Sequence, residues 1–212
     1  MRLNFKLFLC FILIPLILSA QEETQVDLKN YEQEDPETVF FNIGLYKPLA
    51  FGDNSFHKAY ATADTGLEID FNWLAFSDFT VGFKLDIFYA SVDDISKVGA
   101  INGTRVTNYS IHAGYYKAIT REWNWHASLG VGSVGYRSST YDDIIREYGW
   151  NLYFQNELNY RFNQYFGIFG KVQLRADFLD IETARPKDDF LNNQWFLIPG
   201  IGIRINFHNP EG

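Results

Sequence analysis

The chain has 212 residues, enough for a single domain, and its composition excludes several classes of protein. Hydrophobic residues make up 47% of the chain and aromatic residues 18%, far above the content of a disordered protein. The mean hydropathy is −0.18, and beyond the first 20 residues no stretch is apolar for the roughly 18 residues that a membrane helix needs. A soluble globular domain and a membrane β-barrel remain.

The first 20 residues have the pattern of an export signal. Arg2 and Lys6 precede an almost wholly apolar run over 7–18, and small residues follow it. The sequence therefore predicts a signal peptide over 1–20, which contains the only Cys and the only Met. The signal takes two of the 18 basic residues and none of the 26 acidic ones, so the rest carries a formal charge of −10. This charge disfavours nucleic acid as a partner, and an exported chain without Cys cannot be a disulfide scaffold.

Residues 21–37 are polar and acidic, which predicts a periplasmic leader. The region 38–207 then contains eight segments of about nine to twelve residues in which apolar and polar side chains alternate, the pattern of strands with two unlike faces. Residues 208–212 remain as a C-terminal tail. In chain order the apolar stripes cover 39–45, 67–73, 79–89, 109–115, 125–131, 150–160, 166–176 and 195–207.

The connections between these segments alternate in length. The sequence predicts short turns at 76–78, 117–122 and 163–164. It predicts long loops at 48–66, 92–105, 137–148 and 179–193. An up-and-down meander with all its tight turns at one end is typical of a transmembrane barrel, whose short turns face the periplasm. Both ends of the meander then lie on the short-turn side.

The apolar stripes are predicted to face outward. Pointed inward, as in a soluble carrier of the lipocalin type, their large side chains would crowd an interior that eight strands make only just wide enough for ordinary side chains. The opposite face carries acids and bases in equal number, and buried charges need partners. It predicts a lumen ion-pair network of Glu68, Asp70, Lys84, Asp86, Glu157, Arg161, Lys171, Arg175, Asp177 and Arg204.

Aromatic residues of the apolar stripes concentrate at the ends of the segments, as expected where rings lie at the two membrane interfaces. We predict two aromatic belts. The belt at the short-turn end contains Trp73, Tyr115, Trp123, Trp125, Tyr160 and Phe207, and the belt at the long-loop end contains Tyr89, Tyr109, Trp150 and Trp195.

With these features the sequence resembles the small eight-stranded outer-membrane barrels, the family of the outer-membrane protein A transmembrane domain. The alternating segment 200–207, which begins with glycine and ends with an aromatic residue, is similar to the C-terminal insertion signal of that family, although five residues follow it. The resemblance implies an all-β, eight-stranded antiparallel up-and-down transmembrane β-barrel, integral to the outer membrane. It also implies contact with outer-membrane lipid and lipopolysaccharide, and with the barrel-assembly machinery during insertion.

The lumen residues can be placed more finely by strand register. Centring the turn at Gln164 sets Glu157 opposite Lys171, Gln155 opposite Gln173 and Tyr153 opposite Arg175. On the second and third segments, Lys84 lies opposite Glu68 or Asp70, depending on the register. We interpret the lumen as a plug of salt bridges; a gate or a proton path is the alternative.

An enzyme is the main alternative class. His126 and Ser128 stand two apart on one face, with His112 on the next strand, and they resemble the His-x-Ser element of eight-stranded lipid A deacylases. The predicted register sends this pair into the lumen, with no acid to orient the histidine. We therefore predict no catalytic residue, no metal and no cofactor.

The functional hypothesis is a non-enzymatic integral outer-membrane barrel that contributes to envelope integrity or presents its extracellular loops to an envelope protein partner. The alternatives are a lipid A-modifying hydrolase, a narrow channel or hydrophobic-ligand conduit, and a soluble lipocalin-like carrier.

Overall fold

The computed structural model describes residues 37–60, 63–76, 78–141, 143–181 and 188–208. The predicted signal peptide, nearly all of the leader and most of the C-terminal tail lie outside these residues. In the part of the chain that is described, no helix has the length and the apolar character needed to cross a membrane.

Nine strands form one antiparallel sheet that closes on itself. The strands are β1 (Glu37–Tyr46), β2 (Leu49–Phe51), β3 (Gly66–Phe76), β4 (Phe79–Ser91), β5 (Ile101–Ala118), β6 (Trp123–Thr140), β7 (Ile144–Arg161), β8 (Phe166–Leu179) and β9 (Asn193–His208). The short helices are α1 (Ser55–Ala59), α2 (Ile95–Val98) and α3 (Asp188–Asn192).

The barrel wall is eight strands around, because the short β2 occupies the same place in the wall as β1. Neighbouring strands pair from β3 to β9, β1 pairs with both β3 and β9, and β2 continues the pairing of β1 along β9. Closure leaves no unpaired sheet edge where lipid would have to cover it. The predicted eight-stranded antiparallel up-and-down transmembrane β-barrel is confirmed.

The two faces of the wall are unlike, as predicted. Apolar side chains of the outer face are widely exposed, for example 65% for Ile111 and 57% for Leu129, whereas the inward Arg175 is 0% exposed. Lipid is the solvent that suits such an exterior. The ionic face fills the interior.

One predicted loop is wrong. The segment 137–148 is mostly strand, because β6 continues to Thr140 and β7 begins at Ile144. β5, β6 and β7 each have 18 residues, although about 9–11 suffice to cross a membrane. Above the membrane a sheet face no longer has to be apolar, so the alternation that marks a strand disappears while the backbone pairing continues. We call the parts of β5, β6 and β7 that fall within the predicted loops, residues 101–105, 137–140 and 144–148, the extended wall.

Glycines on the inner face make room for large rings. In each case the glycine lies directly opposite the ring-bearing residue on a neighbouring strand. A Cβ atom added to Gly130, for instance, would lie 2.3 Å from the ring of Tyr153. The pairs are Gly66 with Tyr46, Gly82 with His112, Gly130 with Tyr153, and Gly202 with Phe169.

Candidate functional site

The lumen brings the predicted charged residues together, and the half nearer the long loops centres on Arg175. The Nη1 atom of Arg175 lies 2.9 Å from Asp86 Oδ1, and its Nε atom lies 3.0 Å from Asp177 Oδ1. The hydroxyl of Tyr46 donates to Asp86 at 3.1 Å, and that of Tyr136 donates to Asp177 at 2.8 Å. One guanidinium thus lies beside two buried carboxylates, and each carboxylate also accepts a hydrogen bond from a tyrosine.

A second charged cluster lies nearer the short-turn end, around Glu157. Arg204 Nη2 donates to Glu157 Oε1 at 2.6 Å, and Arg204 Nε donates to Asn42 Oδ1 at 3.2 Å. The amide of Asn42 donates in turn to Glu157 Oε2 at 3.0 Å. Lys171 pairs with Glu68. Arg161, at the end of β7, donates through Nη2 to Asn124 Oδ1 at 3.2 Å.

The predicted registers are confirmed, but two ion pairs deduced from them are wrong. Glu157 does lie opposite Lys171, yet each pairs with a residue across the lumen instead. Lys84 lies opposite Asp70, yet its Nζ donates to Gln155 Oε1 at 2.6 Å and to Gln173 Oε1 at 2.7 Å. In a narrow barrel, long inward side chains reach the axis and meet partners from non-neighbouring strands.

Asp70 belongs to a polar group that contains a histidine. It accepts a hydrogen bond from Asn72 Nδ2 at 3.1 Å and lies 3.5 Å from His112 Nε2. His112 Nδ1 and the hydroxyl of Tyr153 are 2.9 Å apart. Lys84 stands 3.9 Å above the Tyr153 ring, so a cation–π contact takes the place of an ionic partner.

An apolar layer that the sequence analysis missed closes the long-loop end of the lumen. We call it the apolar cap. The sequence did contain a signal for this layer. On several strands the inward-facing positions beyond the charged residues, toward the long loops, are apolar. The apolar cap consists of Tyr46, Phe56, Ala63, Phe88, Ala90, Val106, Val134, Tyr136, Leu179, Phe196 and Ile198.

Helix α1 inserts Phe56 into this cap from the first extracellular loop. Asn54 begins the helix by accepting a hydrogen bond from the backbone N–H of His57 at 2.9 Å. The Phe56 ring, 3% exposed, lies 5.2 Å from that of Phe196 and 4.2 Å from that of Tyr60, centroid to centroid. Burial raises the pKa of the Tyr60 hydroxyl, which lies 2.7 Å from Thr104 Oγ1.

Solved structures supply an independent comparison. No family model matches the sequence, and no curated protein matches it. The structure is similar to Neisserial surface protein A, with a TM-score of 0.59 and 7% identity over 80% of this chain and 97% of that one. It is similar to OprG from Pseudomonas aeruginosa, with a TM-score of 0.57 and 14% identity over 82% and 98%. A major outer membrane protein from Thermus thermophilus gives 0.52 and 11% over 80% and 99%.

The chain has the fold of the small eight-stranded outer-membrane β-barrels. At these identities the likeness concerns the fold, and the apolar exterior adds the physical reason for a membrane location. The protein is an integral outer-membrane barrel, and its three short turns, between β3 and β4, β5 and β6, and β7 and β8, lie at one end, the end that faces the periplasm in barrels of this kind.

The predicted belt residues of this barrel all lie on its outer face. Their exposed fractions include 51% for Trp73 and 52% for Trp150, one near each end of the barrel. Two of them also bind polar groups: the Tyr115 hydroxyl donates to Asp78 at 3.2 Å, and Trp125 Nε1 donates to Asn156 at 3.2 Å. An apolar ring with a polar tip suits the membrane interface.

The histidine and serine of the enzyme alternative lie inside the barrel. His126 is 1% exposed and Ser128 is 3% exposed. His126 Nε2 lies 2.9 Å from Thr80 Oγ1, and neither His126 Nδ1 nor Ser128 Oγ forms a hydrogen bond among the described residues. Across all the residues that the structure describes, no group of three His, Cys, Asp or Glu side chains is placed to hold a metal.

Replacing Phe56 by Ala is expected to release α1 from the mouth of the barrel. The substitution removes the ring that anchors this short helix, and a five-residue helix has little stability of its own. Amide hydrogen exchange of residues 55–59 should accelerate about tenfold or more, while exchange within β5 and β6 stays as in the wild type. His57→Ala, on the exposed side of the same helix, is the matched control. Equal exchange in both variants would contradict the anchoring role of Phe56.

Proposed function

We propose that the protein is a non-enzymatic, sealed outer-membrane barrel that contributes to envelope integrity and presents its extracellular surface to a partner in the envelope. The observation that carries this proposal is that two layers of side chains, one charged and one apolar, fill the lumen at different heights. Charged residues that include Arg175 and Arg204 occupy the middle, and the apolar cap lies above them. An ion that crossed the barrel would have to displace the buried pairs and then enter an apolar layer.

The seal is tested by conductance. Planar bilayers that contain the reconstituted full-length protein are expected to conduct no more than the lipid alone. The double variant Glu157→Ala, Arg204→Ala removes both charges of one pair and leaves the apolar cap intact, so it should remain silent as well. Stepwise openings of the wild-type protein would contradict the sealed barrel and favour the narrow channel.

The absence of enzymatic activity is also a proposal, supported by the burial of His126 and Ser128 away from lipid. Catalysis on a membrane lipid needs a nucleophile that the lipid can reach, together with a base oriented by a third group. Expression of the protein should therefore leave the mass of the host's lipid A unchanged. A mass shift that disappears in Ser128→Ala would support the hydrolase instead.

The extended wall supports the presentation part of the proposal. β6 and β7 continue as a hairpin whose tip, Tyr141, is 84% exposed, and Tyr148 below it is 63% exposed. Large apolar side chains beyond the membrane are typical of surfaces that bind other molecules.

A further inference from the structure

Three arginines stand side by side on the outer face of the extended wall. The strand register places Arg105 of β5 opposite Arg137 of β6, and Arg137 opposite Arg146 of β7. All three are exposed. Residues directly opposite on neighbouring antiparallel strands have Cβ atoms about 5 Å apart, so three positive charges share one short row. We call it the arginine row.

Within the described part of the chain, the row has no ion-pair partner. The described positions directly above and below it on these strands hold no carboxylate. Those positions are Gly103, Ser139 and Ile144 above, and Thr107, Gly135 and Tyr148 below. Like charges placed directly opposite one another destabilise a sheet, and the chain as a whole is acidic. An external anion would remove this repulsion.

The position of the row indicates which anion it meets. The same cross-strand row begins with Tyr89 of the extracellular aromatic belt, which lies opposite Arg105. Arg146 lies four residues beyond Trp150 along β7, about 13 Å of strand. The row is therefore on the lipid-facing side of the wall, at and just above the membrane interface, where the headgroups of the outer leaflet lie. Guanidinium groups bind phosphate in a bidentate manner, and the hydroxyls of Thr107 and Tyr148 can donate further hydrogen bonds.

We propose that the arginine row binds the phosphate groups of a phosphorylated glycolipid of the outer leaflet, of the lipid A type. The barrel thereby holds a specific outer-leaflet lipid against β5–β7. This inference relies on the outer-membrane orientation in the proposed function and is independent of the sealed lumen. Conductance through the barrel would contradict the proposed seal but would not contradict lipid binding by the arginine row.

The test uses the full-length protein in detergent and fluorescently labelled lipid A that carries both phosphates. The triple variant Arg105→Gln, Arg137→Gln, Arg146→Gln is expected to bind about tenfold or more weakly than the wild type, and Arg137→Gln alone about threefold or more weakly. Lys97→Gln removes one positive charge from exposed helix α2 on the same side of the membrane. This matched control should change affinity by less than about twofold.

Three further measurements distinguish binding of the lipid headgroup from binding of free phosphate and from a structural role of the arginines. Removal of both phosphates from the probe should reduce wild-type binding to the level of the triple variant. Unlabelled lipid A should displace the probe, whereas inorganic phosphate at the same concentration should not. Without lipid, the triple variant should unfold at the same or a higher denaturant concentration than the wild type, because it loses like-charge repulsion.

Four results would overturn the proposal: equal binding of lipid A by the triple variant and the wild type, equal binding of the dephosphorylated probe, displacement by inorganic phosphate as effective as that by lipid A, or a destabilised lipid-free triple variant. The last would mean that the arginines support the fold.

Discussion

Replacement of Arg175 by Met is expected to lower the free energy of unfolding by about 3–5 kcal/mol. The guanidinium is 0% exposed and lies within 3.0 Å of both Asp86 and Asp177. Its removal leaves two carboxylates in the lumen without a cation, and the desolvation of such groups is costly. Denaturant titration of the protein folded in lipid vesicles, followed by tryptophan fluorescence, measures the change.

Two further variants test whether the loss of stability comes from the unpaired buried charges. Arg121→Met removes an exposed arginine from the turn at 119–122 and should change stability by less than about 1 kcal/mol. Combining Arg175→Met with Asp86→Asn and Asp177→Asn removes the whole charged group, so most of the lost stability should return. A loss below about 1 kcal/mol for Arg175→Met alone would indicate a hydrated lumen and contradict the seal.

Gly202→Ala is expected to destabilise the barrel by about 2–3 kcal/mol through overpacking. A Cβ atom on Gly202 would lie 2.2 Å from the backbone oxygen of Ile43 and 2.7 Å from the ring of Phe169. The backbone oxygen cannot move aside as a flexible side chain could, so β1 and β9 would have to shift where they close the barrel.

Gly170→Ala is the matched control, on the adjacent strand β8. Gly170 is exposed on the outer face, and a Cβ atom there would meet nothing within 4 Å. This variant should have unchanged stability or gain up to about 1 kcal/mol, because Ala restricts the unfolded chain more than Gly does. The same denaturant titration compares the two, and equal effects would show that the close approach at Gly202 is unimportant.

The period of two in the sequence was enough to predict the barrel and the direction of each face. Lipid favours apolar side chains at the outward positions within the membrane, so each strand carries the alternation in its own sequence. Local register was predictable from the position of the tight turn at Gln164, as the opposition of Glu157 and Lys171 illustrates.

The pairing of charges could not be predicted in this way. Arg204 meets Glu157 across the lumen because the wall curves, and curvature is a property of the closed sheet and not of any strand pair. The insertion of Phe56 depends on a loop that folds back over the mouth of the barrel. The extended wall was missed because its exposed strands carry no apolar alternation.

Three ion pairs of the lumen join strands that are not neighbours: β3 with β8, β4 with β8, and β7 with β9. An open, partly assembled sheet cannot bring these partners together, and its ionic face would meet acyl chains. These three pairs are therefore complete only in the closed barrel. Assembly of this barrel should consequently be a single cooperative event, in which β1 pairs with β9 and the three ion pairs form together. Partly assembled intermediates should be poorly populated.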